Sequence, residues 1–346
     1  VPELSRYILI SDLLLMPSSF EGMNLTLLEC ISSLQNCDYS NLEIIVVDNC
    51  SQDKSAQLVK IEYPKIKLIE SDYNRGFAGG CNYGAKFAKG EYLLILNNDT
   101  IHEPNWINIL VDFMQLNHSV SSVQPKIRNY DNQNYFDYAG GSGGFIDKYC
   151  FPYSRGRIFS TIEKDIGQYD SPCKIFWASG TAFLTRKNIF MQVNGFDEVL
   201  FAHMEEIDYH WKCQYLGHEV WVQPNSVIYH KGATTLPISS PKKTYLNYRN
   251  SFILLLSNYS IIETFYLFFP RLIFECISIL RELLSLNLGH AFAIIKSWFW
   301  IIKNINFICK KRKLINKIKI KKINLIDQNS IVIKYFIFKK KFFSQI

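Results

Sequence analysis

Short runs of branched apolar residues recur along the first half of the chain, each closed by polar residues. LEIIVVDN (42–49) ends in a carboxylate and predicts a buried parallel strand. KIKLIES (65–71) predicts a second strand and EYLLILNNDT (91–100) a third. Between them, FAGGCNYGAKFAKG (77–90) predicts a helix with glycines at its start and Gly90 as a stop. PNWINILVDFMQLN (104–117) is amphipathic at helical spacing, with Pro104 near its first turn. Ahead of all these, Leu13 to Met16 supply a strand, and a helix begins near Met23. Strands alternating with helices at this pitch predict a doubly wound α/β sheet. In such sheets ligands sit at the carboxyl ends of the strands, and Asp48 and Asp99 both fall there.

Further along, the pattern changes twice. Residues 130–175 are rich in Tyr, Gly, Asp and Ser and predict loops and short strands over the site. Regular elements then return, as a strand, turn and helix in 175–197 and an acidic helix, a strand and a His-bearing turn in 201–235. Residues 248–309 predict two or three helices in which charges such as Glu263, Arg271, Glu275, Arg281 and Glu282 break every apolar run. No window reaches the roughly 18 uncharged apolar residues of a membrane-spanning helix. The chain therefore divides into an α/β domain, 1–245, and an amphipathic, basic helical region, 246–346.

Charge sharpens that division. The net charge is +7, yet residues 296–346 hold 14 Lys and Arg against the single acid Asp327, so the remainder carries a net −6. A basic end on a mildly acidic body points to an anionic partner surface. Lys alternates there with Ile and Phe, which suits a lipid interface better than a solvated nucleic-acid arm. A weakly constrained end drifting towards Ile and Lys would have the same composition. The nine cysteines show no CxxC pair and read as reduced thiols, and residues 1–30 hold no basic segment followed by an apolar core. The expected location is cytoplasmic, peripheral on the inner face of the membrane.

Several segments, in order, resemble family 2 glycosyltransferases of the GT-A fold, closest to the rhamnosyltransferase-like branch of bacterial surface-polysaccharide synthesis. They are IIVVDNCSQDKS (44–55), NRGFAGGCNYGAKFAKGEYLLILNNDT (74–100), WASGTAFLTRK (177–187), GFDEVLFAHMEEIDYHWK (195–212) and VWVQPNSVIYHKGATT (220–235). The likeness covers about 25–250. It departs at 11–34, where a PSxxEG turn is more like the donor loop of the unrelated GT-B glycosyltransferases. The implied fold is a GT-A-like doubly wound mixed sheet with flanking helices and a C-terminal helical extension. The implied reaction is inverting transfer of a sugar from a nucleotide-diphosphate donor to a polysaccharide or lipid-linked acceptor.

The chemistry assigns roles to particular residues. A departing diphosphate gains charge, which a divalent cation, Mg²⁺ or Mn²⁺, neutralises through oxygen ligands. The family's Asp-x-Asp stands here as Asn97-Asn98-Asp99, leaving Asp99 as the metal ligand, with Asn97 free to offer a neutral oxygen or bond the ribose. Read as plain sequence, the same residues are a common strand-end turn. His230 closes a strand in SVIYHKG, and the resemblance makes it the second metal ligand. Donor-nucleotide contacts fall to Asp48, Asn49, Asn74, Arg75, Asn82 and Asn97, with Asp48 equally able to act as a helix cap. An attacking hydroxyl needs a carboxylate base within hydrogen-bond reach. MEEIDYHWK offers Glu206 in the family's base position, Glu205 as runner-up, and Asp208 as support for the helix or a neighbour. Trp177, Gly180 and Trp211 are expected to face the acceptor.

Two other enzyme classes lack their signatures. A nucleotidyltransferase needs an early Gly-rich basic phosphate loop, and a dinucleotide-binding oxidoreductase needs GxGxxG after the first strand. Neither motif is present. A transferase homologue that only binds sugar or a partner remains the alternative, because Asn97 replaces a carboxylate.

Overall fold

The computed structural model describes residues 12–16, 23–232 and 240–346. The 17–22 turn of the front segment and residues 233–235 lie outside them. The chain opens with β1 (Asp12–Met16), α1 (Met23–Gln35), β2 (Glu43–Asp48), α2 (Ser55–Glu62) and β3 (Lys67–Glu70). Next come α3 (Gly76–Ala85), β4 (Tyr92–Asn97), β5 (Thr100–His102), α4 (Trp106–Leu116) and β6 (Val120–Asn129). Short strands follow: β7 (Gly144–Asp147), β8 (Pro152–Ser154), β9 (Arg157–Ile158), β10 (Thr161–Ile162) and β11 (Cys173–Lys174). The domain closes with β12 (Ala182–Arg186), α5 (Lys187–Gln192), α6 (Glu205–Tyr215) and β13 (Glu219–His230). Four long helices come last, α7 (Pro241–Asn258), α8 (Ile261–Leu284), α9 (Leu288–Lys303) and α10 (Ile305–Ile318), before a two-residue β14 (Ile326–Asp327).

The main sheet runs β11-β13-β6-β12-β4-β1-β2-β3, with β5 added on β13. Strands β3, β2, β1 and β4 are parallel, as the alternation with helices predicts. β12 runs antiparallel to both β4 and β6, so the sheet is mixed. Successive side chains of a strand point to opposite faces, and the core records it. Val46, Leu94 and Leu96 pack with α1 and α4 on one face. Ile45, Val47, Leu93 and Ile95 pack with α3, α5 and α6 on the other. Helices on both faces are why these strands read as unbroken apolar runs.

The short strands expected over 130–175 form most of a second, smaller sheet, in the order β10-β9-β8-β7-β14. β14 comes from near the C-terminus and lies parallel to β7, Ile326 opposite Ile146. The last long helix therefore ends at Ile318, and residues 319–346 turn back onto the domain with only short helical turns at Ile333–Ile337 and Phe343–Gln345. The expected 245/246 division falls inside α7. One core cluster unites Trp177 and Trp211 of the domain with Leu254 and Leu255 of α7 and Ile315 of α10. Among the described residues no single helix is long and apolar enough to cross a membrane, although α9 and α10, bent by 71°, pass as a pair on length and composition. All nine cysteines are free thiols.

Candidate functional site

The carboxyl ends of β2 and β3 carry one group of the expected donor residues. Asp48, buried at the end of β2, accepts the Ser51 N–H at 3.2 Å on Oδ1. Asn49 Nδ2 donates to Asn74 Oδ1 at 3.2 Å and to the Gly76 carbonyl at 3.0 Å, and its Oδ1 accepts the Arg75 N–H at 2.9 Å. These bonds brace the loop into α3. Arg75 donates from Nε to Ser71 Oγ and from Nη1 to Tyr73 OH, each at 2.8 Å, and its guanidinium lies over the rings of Tyr73 and Tyr83. The result is a cation held in place at the strand ends. Asn82 stands apart. Its amide donates to the Phe196 carbonyl at 2.9 Å and to Glu198 Oε1 at 3.1 Å, and its oxygen accepts the Phe196 N–H at 2.9 Å. Both ends of Asn82 thus brace the 196–198 loop.

A second group forms around Asp99. β5 pairs antiparallel with β13, setting Thr100 opposite His230, and the Lys231 N–H donates to the Asp99 carbonyl at 2.9 Å. Residues far apart in sequence are thereby placed side by side. His230 Nε2 lies 3.1 Å from Asp99 Oδ1, and Nδ1–H donates to Asp137 Oδ1 at 2.9 Å. All three side chains are buried. Burial alone would lower the His230 pKa, but Asp99 and Asp137 outweigh it and hold the imidazole well above its ordinary value. Two ligands at about 2.1 Å and at right angles around an octahedral cation lie about 3.0 Å apart. Asp99 Oδ1 and His230 Nε2 meet that spacing, and a cation entering between them would take the place of the Nε2 proton of the ion pair. Among the described residues no cluster of three His, Cys, Asp or Glu surrounds one point, so other ligands would be phosphate and water oxygens, as such ions prefer. Asn97, half-buried at the end of β4, fixes the turn through its backbone, with N–H to the Thr181 carbonyl at 2.9 Å and the carbonyl accepting Thr100 Oγ1 at 2.8 Å. Asp137 was not legible in the sequence, because it lies in the aperiodic 130–175 stretch.

The acidic helix α6 begins from a strained loop. Phe201, His203 and Met204 all have positive φ, at 64°, 67° and 73°. Such conformations cost energy and persist where the surroundings enforce them. The enforcement comes from α7. Asn250 Nδ2 donates to the carbonyls of Leu200, Ala202 and His203, at 2.8, 3.0 and 2.6 Å. Arg249 Nη2 donates to the carbonyls of Val199 and Leu200. On the other side, Gly76 has φ +69°, and a Cβ there would overlap the Phe201 carbonyl oxygen.

The three acids of α6 have different surroundings. Among the described residues neither Glu205 Oε2 nor Glu206 Oε2 has a hydrogen-bond partner. Burial pushes the Glu206 carboxyl up to about 7. Glu205 goes well above the carboxylate range, through burial and then the neighbouring Glu206 charge. Both carboxyls are thus held above the ordinary carboxylate range. Asp208 is fully buried between Lys311 Nζ at 2.7 Å and Lys212 Nζ at 3.3 Å. Those lysines overcome burial and hold its carboxyl below the usual range. It supports the helix, as expected, and its partner Lys311 was hidden in the Lys-rich tail.

The acceptor-facing residues do not come together. Trp211 is 0% exposed, edge-on to Phe176 and Tyr259. Trp177 is buried against Gly144, its Nε1 donating to the Phe145 carbonyl at 2.8 Å. Both indoles are core and offer no face to a sugar. Gly180 alone stays near the strand ends, partly exposed in the turn before β12, next to the Thr181 carbonyl that accepts from Asn97.

A mixed α/β sheet with carboxylates gathered at its strand ends, and a C-terminal set of helices, defines a glycosyltransferase fold of the GT-A type. A solved structure of GalNAc-T7 with UDP, GalNAc and Mn²⁺ shares it, with a TM-score of 0.58 at 16% identity over 74% of this chain and 49% of that one. The Glycosyl transferase family 2 model matches residues 14–193, and the chain belongs to that family. It is 26% identical to glycosyltransferase GlyG of Streptococcus pneumoniae over 53% of this chain and 57% of that protein. It is 24% identical to N-acetylglucosaminyl-diphospho-decaprenol L-rhamnosyltransferase of Mycobacterium tuberculosis over 59% of this chain and 72% of that protein. Across curated relatives that it matches, the chain spans from 25% to 72% of their length.

Proposed function

We propose that this chain transfers a sugar from a nucleotide-diphosphate donor to a lipid-linked or polysaccharide acceptor, with inversion at the anomeric carbon. The reading is carried by one observation: within a family 2 fold, Asp99 and His230 stand 3.1 Å apart at the strand ends. Asp48, Asn49 and Asn74 line the nucleotide side, and Arg75 supplies fixed positive charge towards the diphosphate. A divalent cation held by Asp99 and His230 would offset charge developing on the departing diphosphate. Glu206 takes the proton of the acceptor hydroxyl. The hydroxyl oxygen forms the new bond to the anomeric carbon, and the old C–O pair of electrons leaves with the diphosphate. An unpartnered carboxylate oxygen and a pKa near 7 suit that role at neutral pH. The relative named as acting on a diphospho-decaprenol lipid supports the lipid-linked acceptor. A peripheral position on the inner membrane face follows from that acceptor and from the basic C-terminal region.

The test is nucleotide release from a panel of UDP-, dTDP- and GDP-sugars, with and without Mn²⁺. Metal-dependent turnover of one donor, lost in Glu206→Gln, supports transfer and the base together. Donor binding without turnover in the presence of lipid-linked acceptors favours the binding-only homologue.

A further inference from the structure

Helix α8 is built inside out. Its charged pair faces inward: Arg271 Nε donates to Glu275 Oε1 at 3.0 Å, with the two side chains only 1% and 0% exposed. Arg271 also donates to the Tyr149 carbonyl, and Glu275 accepts from the Trp298 indole. Leu267, Phe268 and Phe274 pack inward beside that pair, but many of its apolar side chains face outward. Ile261, Phe265, Phe269, Ile273, Ile277 and Leu280 are all exposed, Phe265 at 64% and Ile273 at 59%. At about 100° per residue these six fill one arc of roughly 160°, running most of the length of a helix about 36 Å long. A surface helix normally turns its apolar arc to the core. Here a polar core contact is satisfied, and a wide apolar face is left uncovered.

We propose that this face of α8 is the contact with an anionic bilayer, the helix lying in the plane of the interface with its apolar arc among the acyl chains. The inference rests on the proposed membrane-side location and assigns it to a particular element. Charge complementarity selects the occupant. The two helices that follow expose Lys296, Lys303, Lys310, Lys313 and Lys317, within a region of net charge +13. An exposed apolar helix face within a strongly basic region is the interfacial pattern for anionic lipid. A second copy fits poorly, since pairing through this face brings two such basic regions together. The bent α9–α10 pair is the wrong candidate for insertion. It buries Ala291, Ala293, Ile294, Ile301, Ile308 and Ile315, and sends Lys311 inward to Asp197 and Asp208.

The experiment is flotation of the full chain with vesicles of phosphatidylcholine, alone or with about a third phosphatidylglycerol. Neither donor nor acceptor is present, so vesicle binding without transferase activity would sink the proposed reaction and leave this inference standing. The variant replaces Phe265, Phe269 and Ile273 together by Gln. All three are exposed, so an unchanged thermal midpoint is expected. Leu116→Gln, an exposed apolar position on α4, controls for general stickiness. Wild type and Leu116→Gln should float with the anionic vesicles, and the triple variant should partition at least roughly tenfold less. High salt should weaken wild-type binding without abolishing it. Equal flotation of wild type and triple variant overturns the proposal, as does no flotation of wild type. So does a dimer in solution that the triple variant dissolves while vesicle binding is absent, since a second copy then covers the face.

Discussion

Glu206 and Asp137 have roles that neighbouring side chains set. As the proposed base, Glu206 must be ionised to accept a proton, and burial holds its pKa near 7. Transfer rate under subsaturating donor should therefore fall about tenfold per pH unit below 7 and level off above it. Glu206→Gln should lose on the order of a hundredfold or more in turnover at every pH, with donor affinity retained. A rate–pH profile checks both, and a wild-type rate independent of pH between 5 and 8 would remove Glu206 as the base. Asp137 accepts the Nδ1–H of His230 and so presents Nε2 towards Asp99. A carboxylate behind a ligating imidazole typically strengthens metal binding by about 10–100-fold. Asp137→Ala should weaken Mn²⁺ binding by that factor in a calorimetric titration with nucleoside diphosphate present. Unchanged affinity would mean that His230 is not a metal ligand or that Asp137 does not orient it.

At the scale of elements, the loop into α6 is held by Gly76 of α3 and by Arg249 and Asn250 of α7, and α6 itself by Lys311 of α10. Lys311 matters most energetically, because it neutralises buried Asp208 and also reaches Asp197 at 2.6 Å. Lys311→Met leaves these carboxylates without their main cation. A loss of about 3 kcal/mol or more in urea unfolding is expected. The sign of the pH dependence follows from Asp208, whose folded pKa is depressed. Its contribution is full above the unfolded value of about 3.9 and is lost as pH falls through the folded value. That acid limb should shrink in Lys311→Met.

As a whole molecule, the C-terminal helices complete the transferase domain. Leu254, Leu255, Tyr259 and Ile315 share a core with Trp177, Met204 and Trp211, and β14 extends the small sheet. Residues 1–245 expressed alone should expose that core and lose the clamp on the 199–203 loop. They are expected to aggregate or to unfold without cooperativity in a thermal melt, whereas a cooperative transition would show an independent domain.

The strands, the helices flanking them and the positions of Asp48, Asp99, Glu206 and His230 were legible in the sequence, because local periodicity and strand-end polarity report local backbone state. Trp177 and Trp211 were not, since an aromatic reads the same whether it stacks on a sugar or fills a core. The bracing partners of Asn82 were not legible for a similar reason, as an amide shows its partners only once the 196–198 loop is folded against it. The sequence by itself determined which segments are strands and which are helices, through the spacing of apolar residues, and it set the charge asymmetry of the chain. Only the tertiary structure decided that Asp137 stands behind His230, that Lys311 turns inward from a basic tail, and that α8 wears its apolar face outside. Each of these depends on contacts between residues far apart in the chain, which spacing along it does not encode.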